Sequence, residues 1–535
     1  PRENVYLHFD NTSYYHGDNI WFSCYITTSD FHLSTEMSKT LYVELLNPGG
    51  EQIDKHTLKI ENGRCHGNFI LNKLPFYSGF YELRAYTKYM LNFGEDAIFS
   101  RLFPVFDMPK ERGNYDEKSI RRYGTGDYPM IREKPDKVRK VNLKFFPEGG
   151  NSVIGLQSQV AFEATDSFGN PIDVSGTIVN DTGEIVSRFS SSSLGRGILS
   201  YVPISAKQKA QVVYDGSNYK FDLPTPLDQG YVLKVDNLSS PDSISLAINK
   251  SKTMQDEMLG LVVISRGKVY NFCLLDVNSN TSIRFKIDKT KLPTGVSNIV
   301  LFNSNGNIIS ERLVFTGREE LLNIKATTPK EFYKPFEAVD MEFAVTDIYD
   351  NPIPTEFSVS VRDGINDVES SHNILTNFLL ESQLKGYIRN PSYYFEATDL
   401  QHRMALDQLL MVQGWRSSSL KQMAGVEPFV VKYMPEQGIE INGKVITFVR
   451  EIPKPDVDIS FVLLKNGDDE TKGGFVDTFV SDSLGRFAFV TDVKGKWNMI
   501  LSVAEKGKKK DYRIILDRVF SPAARKYQYS ELQIT

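Results

Sequence analysis

Apolar and polar residues alternate with a period of two along much of this chain. Turn chemistry interrupts the alternation roughly every dozen residues. Val5-Tyr6-Leu7-His8-Phe9, Ile20-Trp21-Phe22-Ser23-Cys24-Tyr25-Ile26, Leu41-Tyr42-Val43-Glu44-Leu45-Leu46 and the run from Gly79 to Thr87 follow this pattern. His16-Gly17-Asp18-Asn19, Asn47-Pro48-Gly49-Gly50 and Glu61-Asn62-Gly63 separate them, and these residue types favour chain reversal. Period two sends successive side chains to opposite faces of a sheet, so short strands between tight turns build sandwiches or barrels. Aromatic content points the same way, with 34 Phe and 26 Tyr against 3 Trp, because Phe and Tyr suit pleated, half-buried surfaces.

A chain of 535 residues has room for several such units. Internal echoes suggest tandem copies of one sandwich type. Thr165-Asp166-Ser167-Phe168-Gly169-Asn170-Pro171-Ile172 reads as a hairpin turn and returns as Thr346-Asp347-Ile348-Tyr349-Asp350-Asn351-Pro352-Ile353. Asp482-Ser483-Leu484-Gly485-Arg486 echoes Ser193-Leu194-Gly195-Arg196. The expected class is all-β: tandem immunoglobulin-like β-sandwiches over 1–107, 144–230, 231–320, 321–430 and 431–520, with a tail at 521–535. A basic segment at 108–143 reads as an exposed linker. Helical spacing is confined mainly to 370–425, where Ile374, Leu375, Phe378, Leu379 and Leu384, then Leu400, Met404, Leu409 and Leu410, lie on apolar faces that would pack on a sandwich edge. In the first unit Trp21, Phe22 and Tyr81 are expected in the core.

Specific chemistry is hard to find. The chain has no GxSxG elbow, phosphate-binding loop, GxGxxG or HExxH. Ser418-Ser419-Leu420-Lys421 fits SxxK, a pattern short enough to arise by chance. Five of seven histidines (His8, His16, His32, His56 and His66) fall in the first unit, with His372 and His402 later. None has paired ligand spacing, so no metal site is expected. Gly467-Asp468-Asp469-Glu470 and the Asp166 and Asp347 turns read as exposed acidic or capped turns rather than calcium loops. Lys506-Gly507-Lys508-Lys509-Lys510 reads as a solvated hairpin tip. Cys24, Cys65 and Cys273 are too few for a disulfide scaffold. Cys24 and Cys65 could pair, and two buried thiols are the plainer expectation. A net charge of −5 gives no reason to expect nucleic acid as partner. No run of about 18 apolar residues predicts a membrane-spanning helix. The opening Pro1-Arg2-Glu3 is already close to a strand pattern, which fits either a cytoplasmic protein or an exported one whose signal segment was removed.

Several motifs together resemble a family. Val5–Asp10, Tyr15–Phe22 and Gly79–Thr87 are similar to the opening macroglobulin-type domain of large envelope proteins of Bacteroidetes bacteria. The resemblance continues through Phe145-Phe146-Pro147-Glu148-Gly149-Gly150, Leu292-Pro293-Thr294-Gly295, Ser382–Ile388 and Leu410–Arg416. Residues 438–517 resemble the carboxypeptidase regulatory-like, transthyretin-like sandwich. Asn11 and Ser417-Ser418 depart from the usual basic and basic-aromatic residues. The plug-like domain of TonB-dependent transporters that often follows in the family is not in this sequence. No cysteine lies in a Cys-Gly-Glu-Gln thioester context, so covalent protease trapping is not implied.

The resemblance implies macroglobulin-like sandwiches in an exported protein, in the periplasm or at the outer-membrane surface, with no catalytic, cofactor or metal residues. The expected role is a non-catalytic scaffold for other envelope proteins, among them an outer-membrane transporter or its lipoprotein partner. Two alternatives stand beside it. A glycan- or peptide-binding surface protein would need exposed aromatics such as Tyr393-Tyr394-Phe395. A protease inhibitor without a thioester would need a bait loop such as 108–143.

Overall fold

The computed structural model describes residues 2–72, 77–111, 118–120, 140–255, 257–277, 281–317, 322–362, 368, 370–414, 427–465, 474–509, 511–517 and 521–533. Among the described residues strands take up 48% and helices 8%, so the fold is all-β with a small helical part. Among the described residues no helix is long and apolar enough to cross a membrane.

The first unit packs a three-stranded sheet (Glu3–Phe9, Asn19–Thr28, Arg64–Ile70) on a five-stranded one that includes Thr40–Leu46, Gly79–Tyr86 and Phe99–Phe106. Leu7, Ile20, Phe22, Cys24 and Ile26 from one sheet meet Leu41, Val43, Leu83 and Val105 from the other. Tyr81 is buried with them, but Trp21 is 52% exposed. The pleat decides this: Ile20, Phe22 and Cys24 share the inner face, so Trp21 must point out. Size favoured Trp21 for the core, and register overrides size. Cys24 and Cys65 are free, buried and directly opposite each other on adjacent strands. Burial and the neighbouring thiol push the Cys24 thiol well up, which keeps it protonated.

Residues 142–222 form a second pair of sheets, one of Asn142–Pro147, Ser158–Thr165 and Arg196–Tyr201, the other of Ser175–Val179, Ile185–Ser190, Lys209–Tyr214 and Ser217–Asp222. Residues 231–316 form a third pair and residues 439–516 another. Each pair has its own apolar core. The stretch between the third and last pairs differs. Asn323–Thr327 pairs with Glu342–Thr346 as a two-stranded sheet, and helices follow from Ile374 to Val412.

The repeated turn phrases are not hairpins. Ser158–Thr165 and Ser175–Val179, on either side of the Asp166 turn, lie in opposite sheets. The turn therefore carries the chain across the sandwich. Asp166 Oδ1 accepts from the amides of Phe168 and Asn170, at 2.9 and 2.8 Å. Asp347 does the same for Tyr349 and Asn351, and Asp482 for Leu484 and Arg486. Each is an Asx-type corner. Glycine sets two of the tight turns, Gly195 in the Ser193–Arg196 phrase (φ +71°) and Gly485 in the Asp482 corner (φ +72°), where a Cβ would lie 2.4 Å from Ala164 O and 2.7 Å from Lys454 N.

The two faces of Asn19–Thr28 give a direct test. Phe22→Ala should cost about 3–5 kcal/mol, whereas Trp21→Ala should stay within about 1 kcal/mol. Urea denaturation followed by tyrosine fluorescence measures both, and equal losses would contradict the register.

Candidate functional site

The helical stretch is a junction between sandwiches. Asn373 caps its first turn in a capping box with Thr376, and Asp399 caps Leu400–Val412 by accepting from the His402 amide. Leu379, Leu380, Leu384, Tyr394, Leu406, Leu409 and Leu410 are buried against Val296, Leu313 and Phe315 on the outer face of the third unit. Ile374, Leu400 and Met404 from the expected apolar faces stay exposed. Phe378 reaches the first unit, edge-on to Tyr6 and stacked on His32. Tyr394 accepts from Arg196 Nη1 of the second unit at 2.8 Å, and Arg196 also pairs with Glu163.

Beneath the long helix lies a buried triad. Arg312 on the strand Ile308–Thr316 pairs with Glu148 (Nε–Oε1 3.1 Å) and with Asp407 of the helix (Nη2–Oδ2 2.8 Å). Glu148 Oε1 also accepts from the Val235 amide at 3.1 Å. Burial pushes the Glu148 carboxyl up, and Arg312 opposes it. Glu148 is the acid of the Phe145–Gly150 motif, so that motif serves packing.

A cavity of about 510 Å³ opens where the first unit, the helices and the C-terminal tail meet. Its wall carries His372 and Glu381, 2.5 Å apart. Burial alone would raise the Glu381 pKa, but His372, Arg101 and the Thr376 hydroxyl hold it down at about 2. Glu381 is engaged by His372 and Thr376, so the pair is closed on itself as a structural clamp. The tail is fixed nearby: Arg84, paired with buried Glu44, donates to the carbonyls of Pro522 and Ala523 at 2.6 and 2.9 Å.

The residues singled out in sequence scatter. His8 bonds Ser358, His56 stacks on Phe69, and His402 pairs with Asp399. His32 is held neutral, its pKa lowered to about 4 by burial. Among the described residues no three His, Cys, Asp or Glu side chains are grouped to hold a metal ion. Tyr394 is fully buried and Phe395 packs edge-on to Phe315, so the aromatic triplet is used in the junction. Ser418-Ser419-Leu420-Lys421, Gly467–Glu470 and most of the basic segment lie outside the described residues.

One surface was not picked out in sequence. No residue from 322 to 362 is buried, although this stretch carries Ile324, Phe332, Phe336, Phe343, Val345, Tyr349 and Phe357. Phe332 is 87% exposed and Tyr349 77%. Ile324 stands opposite Val345, and Ala326 opposite Phe343, which puts an apolar row on one face and Lys325, Thr327, Glu342 and Thr346 on the other. The next segment is tethered to the outer face of the first unit: Tyr25 donates to Ser358 Oγ at 2.7 Å, and Arg64 pairs with Glu356 at 2.8 Å. Soluble proteins rarely leave such contiguous apolar surface without a use.

No protein-family model matches the chain, and no curated protein matches it. Among solved structures it is similar to Salmonella alpha-2-macroglobulin reacted with methylamine, at 10% identity and a TM-score of 0.18, over 98% of this chain and 40% of that one. Escherichia coli alpha-2-macroglobulin activated by porcine elastase gives 9% identity and a TM-score of 0.22, over 96% of this chain and 43% of that one. Dimeric latent PorU from Porphyromonas gingivalis gives 13% and 0.24, over 59% and 33%. The chain thus spans about 40% of the length of these macroglobulins.

Two outcomes follow from the junction. Asp407→Ala strands Arg312 with one carboxylate and should cost about 3–5 kcal/mol, read as a fall in thermal midpoint. Glu381 has a folded pKa below the ordinary carboxylate range, so its contribution is present above that range and is lost as pH falls through it towards about 2. Glu381→Gln should therefore flatten the acid limb of urea stability measured from pH 6 to pH 2. An unchanged limb would count against the clamp.

Proposed function

We propose that this chain is a non-catalytic multidomain scaffold of the cell envelope that holds another protein against its open two-stranded sheet. The carrying observation is the stretch 322–362, an apolar β face without a buried residue beside sandwiches that each have a full core. The junction supports the same reading: a buried ion triad and a closed His–Glu clamp spend their charged groups on holding units together. The motif resemblance favours the periplasm or the outer-membrane surface, and an outer-membrane transporter or its lipoprotein as partner. It also favours macroglobulin-like units with a carboxypeptidase regulatory-like unit at 431–520.

The test is a photo-crosslinking residue at Val361, which is 83% exposed, in cells that export the chain. A discrete adduct, identified by mass spectrometry and absent when the crosslinker replaces a solvent-facing residue such as Lys220, is the expected result. Robust protease, glycosidase or esterase turnover abolished by one point substitution would overturn the scaffold reading.

A further inference from the structure

The second unit is an internal template for the open sheet. The phrase Thr165-Asp166 to Asn170-Pro171-Ile172 superposes in register on Thr346-Asp347 to Asn351-Pro352-Ile353. The local geometry agrees. Asp166 and Asp347 cap the same amides, Thr165 bridges Pro171 as Thr346 bridges Pro352, and Ile172 N–H donates to Ala164 O as Ile353 N–H does to Val345 O. The same offset puts Phe343 at the position of Phe162 and Val345 at that of Ala164. Ile324 stands opposite Val345 as Leu143 stands opposite Ala164.

The template shows what the open sheet lacks. Phe162 and Ala164 are fully buried, covered by two strands that come later in the chain. One is the edge strand Arg196–Tyr201, where Gly197 stands opposite Phe162 and Gly195 O accepts from Ala164 N–H at 2.8 Å. The other is Ile185–Ser190 in the facing sheet, whose Phe189 ring lies 4.9 Å from Phe162. In the open sheet only the Phe357 ring of the extended segment after the corner lies near Phe343, at 5.3 Å, and the helices begin at Ile374. Among the described residues no strand pairs with Glu342–Thr346 on the side away from Asn323–Thr327. By the template, the amides of Phe343 and Val345 face that free edge.

We propose that the free edge of Glu342–Thr346 takes an added antiparallel β-strand from a protein partner: an extended segment with alternating apolar residues, a glycine or other small residue opposite Phe343, and net positive charge. The strand form follows from the edge and the template, since backbone pairing supplies affinity and alternate side chains supply selectivity. The small residue follows from Gly197, where a Cβ would lie 2.7 Å from the Phe162 ring. The positive charge follows from residues 322–362, which hold seven Asp and Glu against four Lys and Arg. A second copy of this chain would bring the same acidic excess and the same missing strands, so it complements neither.

This inference rests on the scaffold reading and adds the chemistry of the partner. Its probe is a synthetic peptide with the sequence of Ser193–Val202, the strand that fills the equivalent edge in the second unit. Binding to the full chain is followed by anisotropy, and amide exchange is read residue by residue. The expected result is saturable binding, slowed exchange at Phe343 and Val345, and at least a tenfold affinity loss in both Phe343→Asp and Ile324→Asp. The same loss is expected with a peptide carrying Arg196→Glu. Both variants should keep the parent thermal midpoint, because this stretch contributes no buried residue. Protection elsewhere, equal binding by the variants, or a concentration-dependent dimer abolished by Phe343→Asp would overturn strand addition. If the peptide binds as expected while the Val361 crosslinker yields no adduct, the scaffold reading fails and the edge chemistry stands.

Discussion

The arrangement of the units depends on one buried cation. Arg312 is 2% exposed at its side chain and has a carboxylate on each side. A guanidinium removed from water costs several kcal/mol unless its charge and donors are met. Glu148 follows a strand of the second unit, Arg312 lies on an edge strand of the third, and Asp407 comes from the helix. The charge is therefore balanced only when all three are assembled. Apolar packing of Leu379, Leu406 and Leu409 on Val296 and Phe315 supplies the area, and the triad supplies the orientation, because an ion pair tolerates less sliding than apolar contact. Arg196 with Glu163 and Tyr394 repeats this device between the second unit and the helical stretch.

That frame explains how a sheet without a core can keep its shape. An isolated two-stranded sheet is marginal in water. Here the segment after it is held by Ser358 on His8 and Tyr25 and by Glu356 on Arg64. The helical stretch that follows touches all three preceding units through Phe378, Tyr394 and Leu409. The open face is thus presented by its surroundings, whereas the other sheets are held by their own interiors.

What was legible in sequence follows from the range of the forces involved. Period-two alternation and Asx corners are local, so strand positions, the helical stretch and the all-β class could be read directly. Face assignment needs the register. Trp21 and Phe22 are neighbours with similar appetite for burial, and only the run Ile20, Phe22, Cys24 marks the inner face. The corner phrases are legible as turns, but whether a turn closes a hairpin or crosses to the facing sheet depends on pairing partners tens of residues away. The junction was illegible for the same reason: Glu148, Arg312 and Asp407 carry no shared spacing. The open sheet left no such signal: the second corner phrase is followed by the alternating run Phe357-Ser358-Val359-Ser360-Val361, which reads as a strand, and helical periodicity begins only at Ile374.

The repeat also bears on why an open edge is tolerated at all. A free strand edge with apolar side chains is an aggregation hazard. The acidic excess around this one, with Glu342 on the strand itself and Asp347 and Asp350 in the corner, repels a second identical edge while leaving a basic strand free to approach. The corner adds a geometric filter. Asp347 fixes the end of Glu342–Thr346 through Tyr349 and Asn351, so an incoming strand meets a defined register stop, as Arg196–Tyr201 does beside Asp166. Because the first unit and the helices already hold this edge in place, an incoming strand orders itself and little else. A preorganised acceptor of that kind loses less entropy on binding than a loop that must fold around its partner.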